Sequence, residues 1–379
     1  MTFSRFMKLV STVVLGGSLL VSPLSQVVQA EESSRSGHVV NEFDLSDHEG
    51  KQVRLWIPYA KSDDYQTISN VEVEFDESQA TSEINTDEHG NEILYIEFAE
   101  DAKERKVTYS FDVERKEVQR PELVEEGEVD AEEFAEFLAP NSMMPTDGEV
   151  KELAEEITAG KETVLDKAKA IYDWIYDNME RNNDVVGCGL GDVKQLLVDL
   201  DGKCTDIHSV FISLARSVGI PAREVFGVRL AKEDQADETK GQHCWAEFYL
   251  PGTGWVAVDI ADVLKLILND ELEKDSEEAL ALKDYYWGNL DPYRVGLSTG
   301  RDLVLVPEQE EGPLNNFGYP YAEVDGVGLD CYDPEAFTYT YTFEALSSED
   351  EADQASEEEE AEEAEEAEET EEAEETVEE

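Results

Sequence analysis

The residue best suited to chemistry is a cysteine at the predicted start of a helix. Gly202–Asp206 reads Gly-Lys-Cys-Thr-Asp, and apolar residues then recur at helical spacing until Gly219 and Pro221 end the pattern. Cys204 would therefore lie beside unpaired backbone N–H groups and the positive end of the helix dipole. This placement lowers the pKa of a thiol, so the pattern indicates a nucleophile.

A histidine and an aspartate follow in the order that cysteine acyl chemistry needs. His243–Tyr249 is predicted to be a strand, Pro251–Gly254 a turn and Trp255–Asp259 the return strand. Such a hairpin would bring His243 and Asp259 close together. In acyl transfer through a thiolate, an imidazole takes and returns the proton, and a carboxylate holds the imidazole in one tautomer.

Taken together, these motifs resemble the transglutaminase-like superfamily, closely over residues 165–262. The matching pieces are Gly-Lys-Cys204-Thr-Asp206, Gly219-Ile220-Pro221-Ala222-Arg223, His243-x-Trp245-x-Glu247 and Trp255-x-x-x-Asp259. The resemblance implies a papain-like α+β fold and a catalytic triad of Cys204 as nucleophile, His243 as general base and acid, and Asp259 as the orienting carboxylate. One departure is Ile260, where many relatives have proline.

Residues around the triad are interpreted mainly as support. Asp206 matches the family's Cys-x-Asp and is predicted to be a structural carboxylate at the helix start. Trp245 and Glu247 are expected to support the histidine strand. The backbone N–H of Cys204 would be one oxyanion donor. The second donor is not identified, and Gln195 is only a weak candidate.

Three cysteines remain besides Cys204, and at most one disulfide can form among them. We favour Cys188–Cys244, which leaves Cys331 free. A zinc site made of Cys188, Cys204, His243 and Cys244 is conceivable, but it lacks a Cys-x-x-Cys spacing and leaves Asp259 unexplained. No metal and no cofactor is predicted.

The periodicity of the chain divides it into two parts that would position these residues. Alternating apolar and polar residues predict a small all-β, sandwich-like domain over 36–119, followed by a connector over 120–148 and an α+β catalytic domain over 149–345. Within the catalytic domain, helices are predicted near 147–160, 163–181, 192–200, 204–218 and 271–286, and strands near 222–230, 243–250, 254–259, 301–306 and 337–343.

Composition limits the partners of this 379-residue chain, whose formal net charge is −63. Nucleic acid is excluded, because phosphate binding needs cationic surface. Residues 1–30 have the layout of a secretory signal peptide, and no later segment is long and apolar enough to cross a membrane. We therefore expect an exported protein, periplasmic in preference to extracellular. The Glu-rich segment 346–379 is predicted to be disordered.

Two functional hypotheses follow. The first is an enzyme that acts on amide bonds of a protein or peptide through a Cys204 thioester, with hydrolysis favoured over crosslinking on the family resemblance. The second is a catalytically inactive module of the same fold that binds a partner in the cell envelope. The sequence does not identify the substrate or the oligomeric state.

Overall fold

The computed structural model describes residues 33–120 and 122–346. The predicted signal peptide, and the predicted acidic tail from residue 347 onward, lie outside the described residues. Among the described residues, no helix is long and apolar enough to span a bilayer.

Two antiparallel five-stranded sheets form a β-sandwich. Their strands are β1 (Ser34–Asp44), β2 (Val53–Pro58), β3 (Gln66–Phe75), β4 (Ala80–Thr86), β5 (Glu92–Phe98), β6 (Lys106–Lys116), β10 (Gln235–Asp237), β14 (Tyr321–Val324), β15 (Val327–Gly328) and β16 (Thr338–Ala345). The first sheet has the strand order β10-β16-β1-β6-β3 and the second the order β15-β14-β2-β5-β4.

The alternation seen in the sequence explains why these strands pack face to face. In β1, Val39 and Phe43 are buried, and in β6, Tyr109 and Phe111 are fully buried. They belong to one apolar cluster with residues of the second sheet such as Leu55. Because side chains alternate between the faces of a strand, one face fills this core and the other contacts water.

The sandwich draws strands from both ends of the described chain. The last strand, β16, pairs with the first, β1, in an antiparallel register that joins Val39 to Phe343. Tyr321 and its neighbours in β14 pair with β2. The boundaries at residues 36–119 and 149–345 stay a prediction, but strands from the second range complete both sheets of the first.

The remaining elements form a helix-and-sheet layer that contains the predicted site. Its four-stranded antiparallel sheet has the order β12-β11-β9-β13, and the short strands β7 and β8 pair in parallel. The elements are α1 (Ala135–Leu138), α2 (Gly148–Ile157), α3 (Val164–Asn178), β7 (Glu180–Arg181), α4 (Val193–Asp199), β8 (Asp201–Gly202), α5 (Cys204–Ser217), β9 (Ala222–Arg229), β11 (Gln242–Leu250), β12 (Gly254–Val258), α6 (Ile260–Asn269), α7 (Glu277–Tyr285) and β13 (Arg294–Thr299). The mixed architecture agrees with the predicted α+β, transglutaminase-like fold.

Helix α5 is the central element of this layer. Ile207, Val210, Phe211 and Leu214 are fully buried in the larger apolar core. Burying each such side chain stabilises the fold by roughly 1.5–3 kcal/mol relative to leaving it exposed. This packing fixes the first turn of α5, and therefore Cys204, against β11.

Two predicted elements differ from the structure. The helix predicted over 271–286 begins only at Glu277, because α6 already ends at Asn269 and a turn separates the two helices. The strand predicted over 301–306 does not form, and Leu303 makes only an isolated bridge with Leu314. The first error is one of boundary, because Ser276 caps the observed helix by accepting the Ala279 N–H. The second arises from a short apolar run, whose pattern alone does not distinguish a strand from a packed loop.

Candidate active site

Cys204 is the first residue of α5 and is almost completely buried. Asp206 closes the turn before it, since its Oδ2 accepts the Lys203 backbone N–H at 3.0 Å and its Oδ1 accepts that of Gly191 at 2.8 Å. Asp206 therefore holds the helix start in place. This agrees with the structural role predicted for it.

The structure brings His243 and Asp259 together. Strands β11 and β12 form the predicted hairpin, and Nε2 of His243 lies 2.7 Å from Oδ2 of Asp259. Because a carboxylate only accepts hydrogen bonds, the hydrogen lies on Nε2 and leaves Nδ1 available to Cys204. Asp259 is also the N-cap of α6, where its Oδ1 accepts the Asp262 N–H at 3.0 Å. Ile260, the departure from the family pattern, is buried at the first position of α6.

Three groups stabilise the thiolate of Cys204. Hydrogen bonds from the Cys188 and Cys244 thiols lower its pKa most, burial raises it, and His243 lowers it further, so that the pKa of Cys204 lies well below its ordinary value of 9.0. The contact with Cys204 and burial raise the pKa of Cys188, and burial and the same contact raise that of Cys244. Both neighbours therefore stay protonated.

All four cysteines are free, so the favoured Cys188–Cys244 disulfide is wrong. The sulfur atoms of Cys188 and Cys244 each lie against the sulfur of Cys204. The Cys188 sulfur also lies 3.3 Å from the Gln242 carbonyl, and the Cys244 sulfur 3.2 Å from a Glu224 oxygen. Each thiol has one hydrogen, so these oxygens compete for it with the Cys204 sulfur.

A buried cluster of charges lies behind the His243–Asp259 pair. The fully buried Arg294 is ion-paired with Asp259, with Asp262 at 3.2 Å and with Asp291 at 2.5 Å. Arg229 forms a second ion pair with Asp262. The cluster therefore holds three carboxylates against two guanidinium groups, which leaves one excess negative charge beside the imidazole.

This excess charge determines the protonation of His243. Burial and Arg229 lower the pKa of His243, but the carboxylates of Asp259 and Asp262 outweigh both, and the pKa is raised above its ordinary value of 6.5. Burial raises the pKa of Asp259, while His243 and Arg294 hold it well below 3.8. The arrangement thus favours a thiolate–imidazolium pair next to an ionised carboxylate.

The sequence did not indicate two residues that contact Asp259, namely His208 and Arg294. His208 lies four residues after Cys204, on the same face of α5, with Nε2 3.4 Å from Oδ1 of Asp259. Helical spacing could have indicated this neighbour. Arg294 follows Asp259 by 35 residues on another strand, and no local pattern indicates it.

The structure separates the three secondary residues suggested by the sequence: Gln195, Trp245 and Glu247. Gln195 does not enter the site, because it is exposed and donates to Asp199 at 2.8 Å on its own helix. Trp245 donates to Glu247 at 3.4 Å, and Glu247 also binds Arg223 at 2.7 Å. These contacts hold the side chains of Trp245 and Glu247 along β11, which agrees with their expected role in supporting the histidine strand.

Two buried groups contain enough donor atoms to hold a metal ion. They are His208, Glu224 and Cys244, and His243, Asp259 and Asp262. Their carboxylates already bind guanidinium groups, including Arg301 on Glu224 at 2.5 Å, and a cation would have to displace these partners. Among the described residues, no such group of donor atoms is formed by Cys188, Cys204, His243 and Cys244, the zinc site considered from the sequence. The absence of a metal stays a prediction.

Comparison with known proteins places this geometry in a family. Residues 151–260 match the model of the transglutaminase-like superfamily. An uncharacterized protein of Haemophilus influenzae is 37% identical over 324 residues, which cover 78% of this chain and 87% of that protein. An uncharacterized protein of Bacillus subtilis, YebA, is 32% identical over 124 residues, 29% of this chain and 17% of that protein. A candidate cysteine protease structure from Cytophaga hutchinsonii covers 82% of this chain and 98% of that chain, at 19% identity and a TM-score of 0.48. This chain belongs to the transglutaminase-like superfamily.

Proposed function

We propose that this protein hydrolyses amide bonds of a protein or peptide substrate through a thioester on Cys204. The observation that carries the proposal is the position of one sulfur at a helix start, in contact with His243, while the opposite nitrogen of that imidazole binds Asp259 at 2.7 Å. These are the three roles that cysteine acyl chemistry requires.

The reaction would proceed in two balanced steps. The Cys204 thiolate attacks the amide carbonyl, and the C–N bond breaks as the His243 imidazolium gives its proton to the leaving amine. Water then attacks the thioester, His243 takes a proton from the water, and the carboxylic acid leaves while the thiolate re-forms. Asp259 holds the imidazole throughout, and the backbone N–H of Cys204 would donate to the oxyanion.

We further propose that the protein is exported, to the periplasm in preference to the extracellular medium. The support for this is the arrangement of residues 1–30 in the sequence, namely a basic start, an uncharged apolar stretch and a small residue before the acidic segment.

Isotope incorporation tests the proposed reaction. The chain is incubated with a peptide mixture in water enriched in oxygen-18, with and without a biotinylated primary amine. Hydrolysis predicts new carboxyl termini that carry oxygen-18, in the wild type and in the control Cys331→Ala, but not in Cys204→Ala. If the amine is attached instead of oxygen-18, the reaction is transamidation and not hydrolysis. Equal labelling in wild type and Cys204→Ala, or none in either, would reject the enzymatic proposal.

A further inference from the structure

A cavity of about 300 Å³ opens beside the candidate nucleophile. Aromatic rings form much of its wall, including Tyr319 and Tyr332, which meet edge to face with their centroids 5.0 Å apart. Tyr332 packs on the loop that precedes α4, where Gly187 leaves room for its ring. The cavity is therefore bounded by segments that are distant in the sequence: the loop before α4, the segment between β10 and β11 that contains Lys240, and the chain before β16.

Immediate neighbours of the candidate catalytic residues line this cavity. Lys203 precedes Cys204, and Gln242 precedes His243. Cys188, which also lines the cavity, lies beside Cys204 and lowers the pKa of its thiol. A substrate group in the cavity would thus lie within one residue of the bond under attack.

The charge of the cavity is opposite to that of the protein. Lys203 and Lys240 are in its lining, and the lining contains no aspartate or glutamate, although the whole chain carries 92 acidic residues against 29 basic ones. Neither lysine forms an ion pair within the described part of the chain. Lys203 is partly buried, and its backbone N–H is fixed by Asp206 at 3.0 Å.

Nearby acids on the covering segment are engaged in its own turns. Oδ1 of Asp330 accepts the Tyr332 backbone N–H at 2.9 Å, and Oδ1 of Asp333 accepts the Glu335 N–H at 3.0 Å. These carboxylates stabilise the loop beside the cavity. On the opposite side, Asp237 accepts the Thr239 backbone N–H at 2.9 Å and is attracted to Lys240 without forming an ion pair with it.

We propose that this cavity is a substrate subsite for a carboxylate next to the scissile amide, with the aromatic rings packing on the aliphatic part of that residue. The proposal rests on the proposed function for the location of the reacting bond. The carboxylate could belong to an acidic side chain or to a chain terminus, and both are recognised by the same two lysines. Partly exposed ion pairs of this kind are individually weak, so we expect a preference of about fivefold rather than absolute specificity.

Protection of Cys204 from alkylation tests the subsite. The full chain is treated with iodoacetamide at pH 7 in the presence of acetyl-Ala-Glu-Ala-amide, acetyl-Ala-Gln-Ala-amide or acetyl-Ala-Gln-Ala with a free carboxylate, and the label on Cys204 is measured by mass spectrometry. We expect half-protection by the glutamate peptide at an approximately fivefold lower concentration than by the glutamine amide. A similar advantage for the free acid would identify the terminal carboxylate as a second ligand. Lys240→Gln should remove most of the advantage, whereas the matched change Lys161→Gln, at an exposed lysine outside the lining, should keep it.

The outcomes separate the subsite from the proposed function. Equal protection by the glutamate peptide and the glutamine amide, or an advantage that Lys240→Gln does not reduce, would overturn the subsite while the reactive thiol stands. Failure of Cys204 to react at pH 7 would instead count against the proposed function. In that case, calorimetric titration of Cys204→Ala with the same peptides still tests the subsite, because this titration needs no reactive thiol. Equal affinities for the glutamate peptide and the glutamine amide would reject the subsite.

Discussion

Replacing Arg294 with methionine should destabilise the protein strongly and in a pH-dependent way. The Arg294 side chain is fully buried and pairs with Asp259, with Asp262 at 3.2 Å and with Asp291 at 2.5 Å. Methionine fills similar space without the charge, so three carboxylates would face Arg229 alone. Removing one partner of a buried ion pair costs about 3–5 kcal/mol, because the other charge stays buried without compensation.

The pH dependence follows from the sign of the pKa shift at Asp259. Its folded-state pKa is held well below 3.8, so its stabilising contribution is present above about pH 4 and is lost as the pH falls through the folded-state pKa. Without Arg294 the folded-state pKa of Asp259 rises, and the variant takes up a proton at a pH where the unfolded chain does not. The deficit in unfolding free energy should therefore be largest near pH 7.5 and smaller at pH 4.5.

Urea unfolding followed by tryptophan fluorescence measures this deficit at both pH values. A suitable control is Lys103→Met, which removes one charge from an ion pair whose side chains are 68% and 66% exposed and should leave the unfolding free energy almost unchanged, because water screens such a pair. A deficit for Arg294→Met no larger than that of the control, or one of equal size at both pH values, would show that Arg294 does not compensate these buried carboxylates.

Two further predictions concern the surroundings of the thiolate. Cys188→Ala removes the neighbour that lowers the pKa of Cys204 most, so the pH at which iodoacetamide labels Cys204 half-maximally should rise. Cys331→Ala is the control, because burial raises the pKa of Cys331 to about 12 and this thiol does not contact Cys204; an equal rise in both variants would contradict the prediction. Gly189→Ala should destabilise the fold by at least 1–3 kcal/mol in thermal or urea unfolding, because Gly189 has a φ of +94° and a Cβ there would collide with the carboxylate of Asp206. If the stability of Gly189→Ala is unchanged, the predicted close approach of residue 189 to the Asp206 carboxylate is wrong.

Local pattern was sufficient to predict the elements that carry the site. Helical spacing after Cys204 predicted α5, and two alternating runs around a Pro-Gly turn predicted the β11–β12 hairpin that brings His243 and Asp259 together. Each of these signals comes from a few consecutive residues whose burial repeats with the period of one element.

The supporting contacts could not be predicted in the same way, because they depend on tertiary packing. Arg294 reaches Asp259 from β13, and no period in the sequence relates the two. Similarly, the pairing of β16 with β1 joins residues about 300 positions apart. The favoured disulfide was wrong because spacing does not reveal that Cys188 and Cys244 each lie beside Cys204 as free thiols.

The pH dependence of Cys204 alkylation, in the wild type and in His243→Ala, reports whether the sulfur and the imidazole share a proton. If Cys204 and His243 form a thiolate–imidazolium pair, the wild type should reach half-maximal labelling well below the ordinary thiol pKa of 9.0, and His243→Ala should move this point upward. Half-maximal labelling of the wild type near pH 9, unchanged in His243→Ala, would contradict the account.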